Sequence, residues 1–347
     1  RGGKQTNITN LEYRDFLQAL DNPTGISLRK DNEAEDELNL EYAITYKRTF
    51  ERKGHELNFD LRYQDNAETE NSDLNERFFT PGMISAGIPD LLQRSYNKER
   101  ERLLAAQLDY VQPIGKDGKL EMGLRSTFRD IGNDFLVEEL VDDTWKIFPG
   151  LSNDFRYNED IHAAYLIYGN KKGKVSYQAG LRAELTDILT ELLQTNEVNT
   201  QDYLNFFPSM HISYDLPADN AVQVSYSKRL RRPRFRELNP FSSFSDNRNI
   251  FTGNPDLRPE FTDLMELGHI KYWDKASLSS SIYYRHTKGK VDRIRTLTSD
   301  GVTFLTRPEN LLSEDAYGFE FVASYSPAKW WTFNGSFNFF RAVADGG

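Results

Sequence analysis

The side chains best able to do chemistry are few and scattered. The five histidines, His55, His162, His211, His269 and His286, stand far apart, with no His-Glu-x-x-His pair or other zinc-ligand spacing. Cysteine is absent, which excludes thiol nucleophiles, zinc knuckles and disulfides. No Gly-x-Ser-x-Gly elbow and no Gly-x-x-x-x-Gly-Lys phosphate loop occurs. A serine and a histidine could still meet across strands, but the expectation is a protein that is not an enzyme and carries no cofactor or metal. The charged runs are the other candidates. Arg229, Arg231, Arg232, Arg234 and Arg236 form a basic run, yet 43 Lys and Arg against 53 Asp and Glu leave a net charge of −10. A duplex nucleic-acid binder normally carries a basic footprint, so no nucleic-acid partner is expected. Acidic runs at residues 33–37, 65–76 and 138–143 lack the glycine and alternating ligand positions of an EF-hand. They are expected in solvated, self-repelling loops.

The elements that would position these residues announce themselves by alternation. Leu38, Leu40, Tyr42, Ile44 and Tyr46 alternate with polar residues, as do Leu57, Phe59, Leu61 and Tyr63. The same period of two recurs from Leu120 to Phe128, from Val175 to Leu185, from Val222 to Tyr226 and from Trp331 to Phe339. About twelve or thirteen strands with one apolar and one polar face are expected, and a helix competes only over residues 96–110. Short turns at residues 51–54, 115–119, 169–174, 216–220, 273–276 and 327–330 take turns with longer polar segments at 66–98, 131–150, 186–202, 232–259 and 289–313. Short connections at one end and long ones at the other define an all-β, antiparallel up-and-down transmembrane β-barrel. No apolar run approaches the length of a membrane helix, and a barrel needs none. Tyr110, Tyr168, Tyr177, Tyr214, Tyr226, Tyr272, Trp273, Tyr325, Trp330 and Trp331 lie near the short turns, as an interfacial aromatic belt would. The apolar rows then face lipid. Asp60, Arg62, Arg125, Arg129, Arg182, Glu184, Arg229 and Arg231 fall on the polar rows and are candidates to line the lumen. The arginine-rich run would meet lipopolysaccharide phosphates or a charged substrate at the rim.

One stretch is more specific than alternation. It reads Ser225-Tyr-Ser-Lys-Arg-Leu-Arg-Arg-Pro233, then Leu238-Asn-Pro-Phe241, then Thr252-Gly-Asn-Pro-Asp-Leu-Arg-Pro-Glu260, then Glu266-Leu-Gly268. Pro233 lacks an N–H and ends a ladder, Gly253-Asn254-Pro255 signals a turn, and Pro259 starts a returning strand. Upstream come Leu108-Asp-Tyr-Val-Gln-Pro113, residues 157–165, Gly180-Leu-Arg-Ala-Glu184 and Phe206-Phe-Pro-Ser209. In these motifs and their order the chain resembles the TonB-dependent outer-membrane receptors, in particular their Bacteroidetes-type branch, from about Leu38 to Phe340. Arg229, Arg232, Pro233, Asn239, Pro240, Gly253, Asn254, Pro255, Pro259 and Glu260 are the motif residues. They either shape a long loop and fix register or contact ligand.

The resemblance implies uptake of a scarce nutrient across the outer membrane, energised by the TonB complex through an N-terminal plug, in a barrel of about twenty-two strands. Ligands of the class are iron chelates, cobalamin, glycans or peptides. No plug-like segment precedes the first strands and no aromatic-terminated strand closes the sequence, so residues 1–347 are expected to be an internal part of one barrel domain, with residues 1–36 a poorly defined lead-in. The competing functions are a passive porin or adhesin barrel and a soluble all-β binding protein.

Overall fold

The computed structural model describes residues 2–16, 23–149, 151–240, 249–299, 301 and 303–346. Alternation becomes strand wherever it is written. β1 (Gly2–Asp15), β2 (Gly25–Thr49), β3 (Glu56–Phe79), β4 (Leu91–Ile114) and β5 (Gly118–Val141) follow as antiparallel hairpins, and a short β6 (Thr144–Ile147) folds back on β5. β7 (Asn153–Lys172), β8 (Val175–Leu192), β9 (Glu197–Leu216) and β10 (Asn220–Arg231) continue the meander. A one-turn helix, α1 (Phe235–Leu238), and β11 (Asn249–Phe251) leave the sheet before β12 (Glu260–Trp273) and β13 (Ala276–Lys288) rejoin it. The hairpin of β14 (Val291–Leu297) and β15 (Phe304–Asn310) pairs with β11 in a separate three-stranded sheet. β16 (Ser313–Ala328) and β17 (Trp331–Asp345) complete the large sheet.

The large sheet is an up-and-down antiparallel meander in chain order, with β6 as a side branch on β5. This is the expected architecture, and the six short turns fall where the sequence places them. Between β9 and β10 the turn puts Ala218 and Asp219 at φ 56° and 55°, the left-handed pair whose twist matches that of the flanking strands.

Register separates the two faces. From the pairs Arg125↔Ala163, Ala163↔Glu184 and Glu184↔Asn205, one face carries the polar rows across β5 to β9. The other carries Leu124, Ala164, Leu181, Phe206 and Met210, most of them widely exposed. Hydrocarbon accepts such a surface and water does not, which makes this the lipid face. Tyrosines mark both its ends: Tyr168, Tyr177, Tyr214 and Tyr325 toward the short turns, and Tyr63, Tyr226, Tyr284 and Tyr317 toward the long connections. Tyr226 thus belongs to the upper girdle, not to the short-turn belt expected for it. Tyr272 lies on the polar face instead of in a belt. The eight positions from Tyr317 to Tyr325 amount to about 26 Å of strand, or about 20 Å of height at a barrel's tilt.

Above the upper girdle the outward row changes character in a single step. The next outward residue is Asp36 on β2, Asp65 on β3, Asp130 on β5, Asp187 on β8 and Asp202 on β9, and on β7 His162 followed by Asp160. It is Asp263 on β12 and Asp315 on β16, with Arg102, Lys228, His286 and Arg341 on β4, β10, β13 and β17. The tyrosines tie into this collar: Tyr226 donates to Asp263 and Tyr284 to Asp315, each at 2.7 Å.

Several expectations are corrected. Residues 96–110 are strand, within β4, not helix. The long connections are shorter than the polar segments suggest, because β3 runs on to Phe79, β8 to Leu192, and only residues 193–196 join β8 to β9. The acidic runs 33–37 and 65–76 lie in strands β2 and β3, and 138–143 spans the end of β5 and its turn. Above the membrane both faces of a strand are wet, so alternation fades while the ladder continues. Residues 1–36 are not a loose lead-in either, since β1 and the first part of β2 occupy residues 2–15 and 25–36.

Candidate functional site: a segment folded onto the lumen face

Apolar side chains interrupt the polar face at one place. Ile131 on β5, Phe155 and Tyr157 on β7, and Ile188 and Leu192 on β8 share one ladder neighbourhood and are almost fully buried. What covers them is the connection after β10. Its Leu238 and Leu257 are 1% and 0% exposed in the same cluster, and Phe235 packs against Phe155 and Tyr157. Burying two leucines this completely stabilises the seat by about 1.5–3 kcal/mol each. A segment leaving β10 can lie on β5 and β7 only because the sheet curls toward its polar face, which makes that face the lumen.

Polar contacts fix the same segment. Arg232 donates to the Glu184 carboxylate at 2.7 Å and to the Thr186 hydroxyl at 2.8 Å on β8. Arg231 bridges Glu237 at 2.7 Å and Glu260 at 3.0 Å, across the ladder pair that opens and closes the connection. Asn239 reaches Asn133 at 3.4 Å, and Gln201 of β9 donates to the Leu257 carbonyl at 3.0 Å. Thr252 donates its hydroxyl to the Pro240 carbonyl, and Gly253 N–H donates to the Asn239 carbonyl at 2.8 Å. A Cβ on Gly253 would fall on the Asn239 backbone. Asn254 is a hub, donating to the Pro308 carbonyl and to Glu309 and accepting from Arg307 and from the Asp256 N–H. Through it the connection is joined to β15.

The motif residues therefore converge. Pro233, Gly253, Asn254, Pro259 and Glu260 are buried, and Pro255 sits in the turn after Asn254. Arg229 stands on the lumen row opposite Thr262. Phe241 lies outside the described residues. The arginine run does not present itself as a rim: Arg231 and Arg232 turn inward onto carboxylates. The lumen candidates share the polar face, in local groups. Asp60 accepts from Thr45 at 2.7 Å and Arg62 faces Glu41. Arg129 lies between Glu101 and Glu159, Arg182 holds Glu184 at 2.6 Å, and Arg125 stands opposite Gln107. Asp60 and Arg62 are not brought to the Arg232 cluster.

Facing the segment, the upper lumen wall of β2 to β4 carries Glu33, Glu35, Glu37, Glu68, Glu70, Glu99 and Glu101 on one face. Burial, reinforced by neighbouring carboxylates, pushes the carboxyls of Glu33, Glu68, Glu70 and Glu99 above the ordinary range. Arg236 of α1 works in the opposite direction on Glu68 and Glu99. This wall and the apolar seat both escaped the sequence reading. The signal for the seat was present: Ile131, Phe155, Tyr157, Ile188 and Leu192 are apolar residues on rows that should be polar.

The histidines do not assemble. His55 meets Tyr110 at 2.9 Å, His269 meets Asn220, His286 meets Asp315, and His211 stands opposite Gln178. His162 and Ser126 do pair, at 3.0 Å, but on the lipid face, where the surrounding N–H groups belong to the ladder and none is left to bind an oxyanion. Among the described residues no three His, Asp or Glu side chains converge on a metal-sized site.

These features define a transmembrane β-barrel of the outer membrane with a lumen partly filled by its own chain. The chain matches the outer membrane protein beta-barrel family over residues 48–346 and belongs to it. No curated protein matches it. Among solved structures it resembles the pyoverdine outer membrane receptor FpvA from Pseudomonas aeruginosa PAO1, at 14% identity and TM-score 0.59, covering 100% of this chain and 55% of that one. It resembles the copper transporter OprC at 14% identity and TM-score 0.58, covering 99% and 60%. The ferric citrate transporter FecA is similar at 12% identity and TM-score 0.50, covering 98% and 52%. These likenesses show the fold, and the chain spans little more than half the length of each structure.

Proposed function

We propose that the chain is part of the barrel of a TonB-dependent receptor that imports a scarce nutrient across the outer membrane. The observation that carries this reading is the packed connection inside the lumen: a passive pore gains by an open channel, whereas here Leu238 and Leu257 cover one side of the upper chamber. The solved structures of similar fold, a copper transporter, a ferric citrate transporter and a pyoverdine receptor, support the same class. On this reading the chain works with a plug segment of the same receptor, through which the TonB complex acts. Its ligand is an iron chelate, cobalamin, a glycan or a peptide. Lipopolysaccharide surrounds the barrel at the level of the charged collar, with no contribution from the inward-turned Arg231 and Arg232. No catalytic step is assigned to it.

The test is uptake by cells that depend on the full-length protein, with radiolabelled ferric chelates and cobalamin as first probes. Uptake is expected to stop when the proton-motive force is collapsed. Uptake that persists after collapse would establish a passive porin instead.

A further inference from the structure

The connection between β10 and β12 is built as a packed layer. Its described residues, 232–240 and 249–259, bury Leu238 and Leu257 against three strands of wall. Polar pins hold it at Glu184, Asn133 and Gln201, on β8, β5 and β9. Lifting it would expose both leucines together with Ile131, Phe155, Tyr157, Ile188 and Leu192. It would also strip Arg232 from a carboxylate that is itself almost buried, which leaves a charge without its partner.

The opposite side of the chamber differs. The β2–β4 wall presents Glu37, Asn39, Asn66, Glu68, Glu99 and Glu101 around a cavity of 140 Å³. Among the described residues its lining is completed by Ala67 alone of apolar residues, so what has to rearrange there is chiefly polar side chains. Arg236 belongs to α1 of the seated layer, and its charge opposes the upward push on the Glu68 and Glu99 carboxyls.

We propose that this layer is a fixed partition: it stays seated on the β5–β9 wall while the receptor works, and what enters the upper chamber passes on the other side, between Arg236 and the β2–β4 wall. The seating of the partition rests on that packing and those polar pins and stands whether or not the transport reading does; the route past it rests on that reading.

Cysteine labelling tests it in the full-length protein in intact cells, because this chain contributes no cysteine of its own. A membrane-impermeant maleimide is applied to three single variants, Glu101→Cys on the open wall, Leu257→Cys in the layer and Ile188→Cys beneath it. Ile188→Cys also supplies the reading if Leu257→Cys fails to assemble. Glu101→Cys is expected to react at least about tenfold faster than either buried position, as for a segment that opens rarely. The ratio is expected to be the same with and without the proton-motive force. Labelling of Ile188→Cys or Leu257→Cys that approaches the Glu101→Cys rate, in either condition, overturns the partition and makes the segment a moving gate. Equal protection of all three positions overturns the open side. Uptake that ignores the proton-motive force would sink the transport reading and leave these rates unchanged.

Discussion

At the scale of single residues, the motif was legible as a motif but its chemistry was not. Gly253 reads as a turn glycine. Its structural reason is a close approach: its α-carbon rests against the Asn239 backbone, and its N–H donates to the Asn239 carbonyl. Gly253→Ala should therefore cost about 1–3 kcal/mol through overpacking, seen as a lowered denaturation midpoint in detergent with the strand content unchanged. The direction in which the arginines point is not written in the sequence. Nothing local says that Arg232 finds Glu184, 48 residues upstream. The glutamates of the inner wall make a pH prediction. Carboxyls of Glu33, Glu68, Glu70 and Glu99 hold their protons more tightly when folded than when unfolded. Their contribution to stability is then fully present below the unfolded carboxyl pKa and is lost as pH rises through the raised native values. Thermal unfolding from about pH 4 to about pH 7 should show this decline. Glu99→Gln should make it shallower and raise the melting temperature at the neutral end.

At the scale of elements, the strands could be read where one face meets lipid and the other meets water. Past that zone the reading failed for a physical reason. Residues 66–76 of β3 carry only Ala67 and Leu74 as apolar residues and show no period of two, yet they pair with β2 and β4 without interruption. Polarity marks them as loop, while backbone hydrogen bonding makes them wall. The inverse error hid the inward connection, whose Gly and Pro residues suggest a surface loop although its two leucines are among the most buried of the described residues. Leu238→Ala should cost about 2–5 kcal/mol, and proteolysis of the native protein should then cut within the connection before it cuts any membrane strand.

At the scale of the whole molecule, composition resolves into location: aromatics and aliphatics outside, mixed charge inside, acid above. Leu181 and Gln178 stand three residues apart on β8, on opposite faces. Leu181→Lys should cost about 2–4 kcal/mol near the bilayer midplane, measured by denaturant unfolding in lipid vesicles. Gln178→Lys should stay within about 0.5 kcal/mol. The collar above the upper girdle has a mechanical meaning too. Twelve adjacent strands, β2 to β5, β7 to β10, β12, β13, β16 and β17, pass from apolar to ionisable within one outward residue. Sinking the protein by that one step would drag a ring of carboxylates into hydrocarbon, and raising it would strand the aromatics in water. The barrel is thus pegged at one depth like a float with a waterline, and a bilayer of another thickness has to bend to meet it.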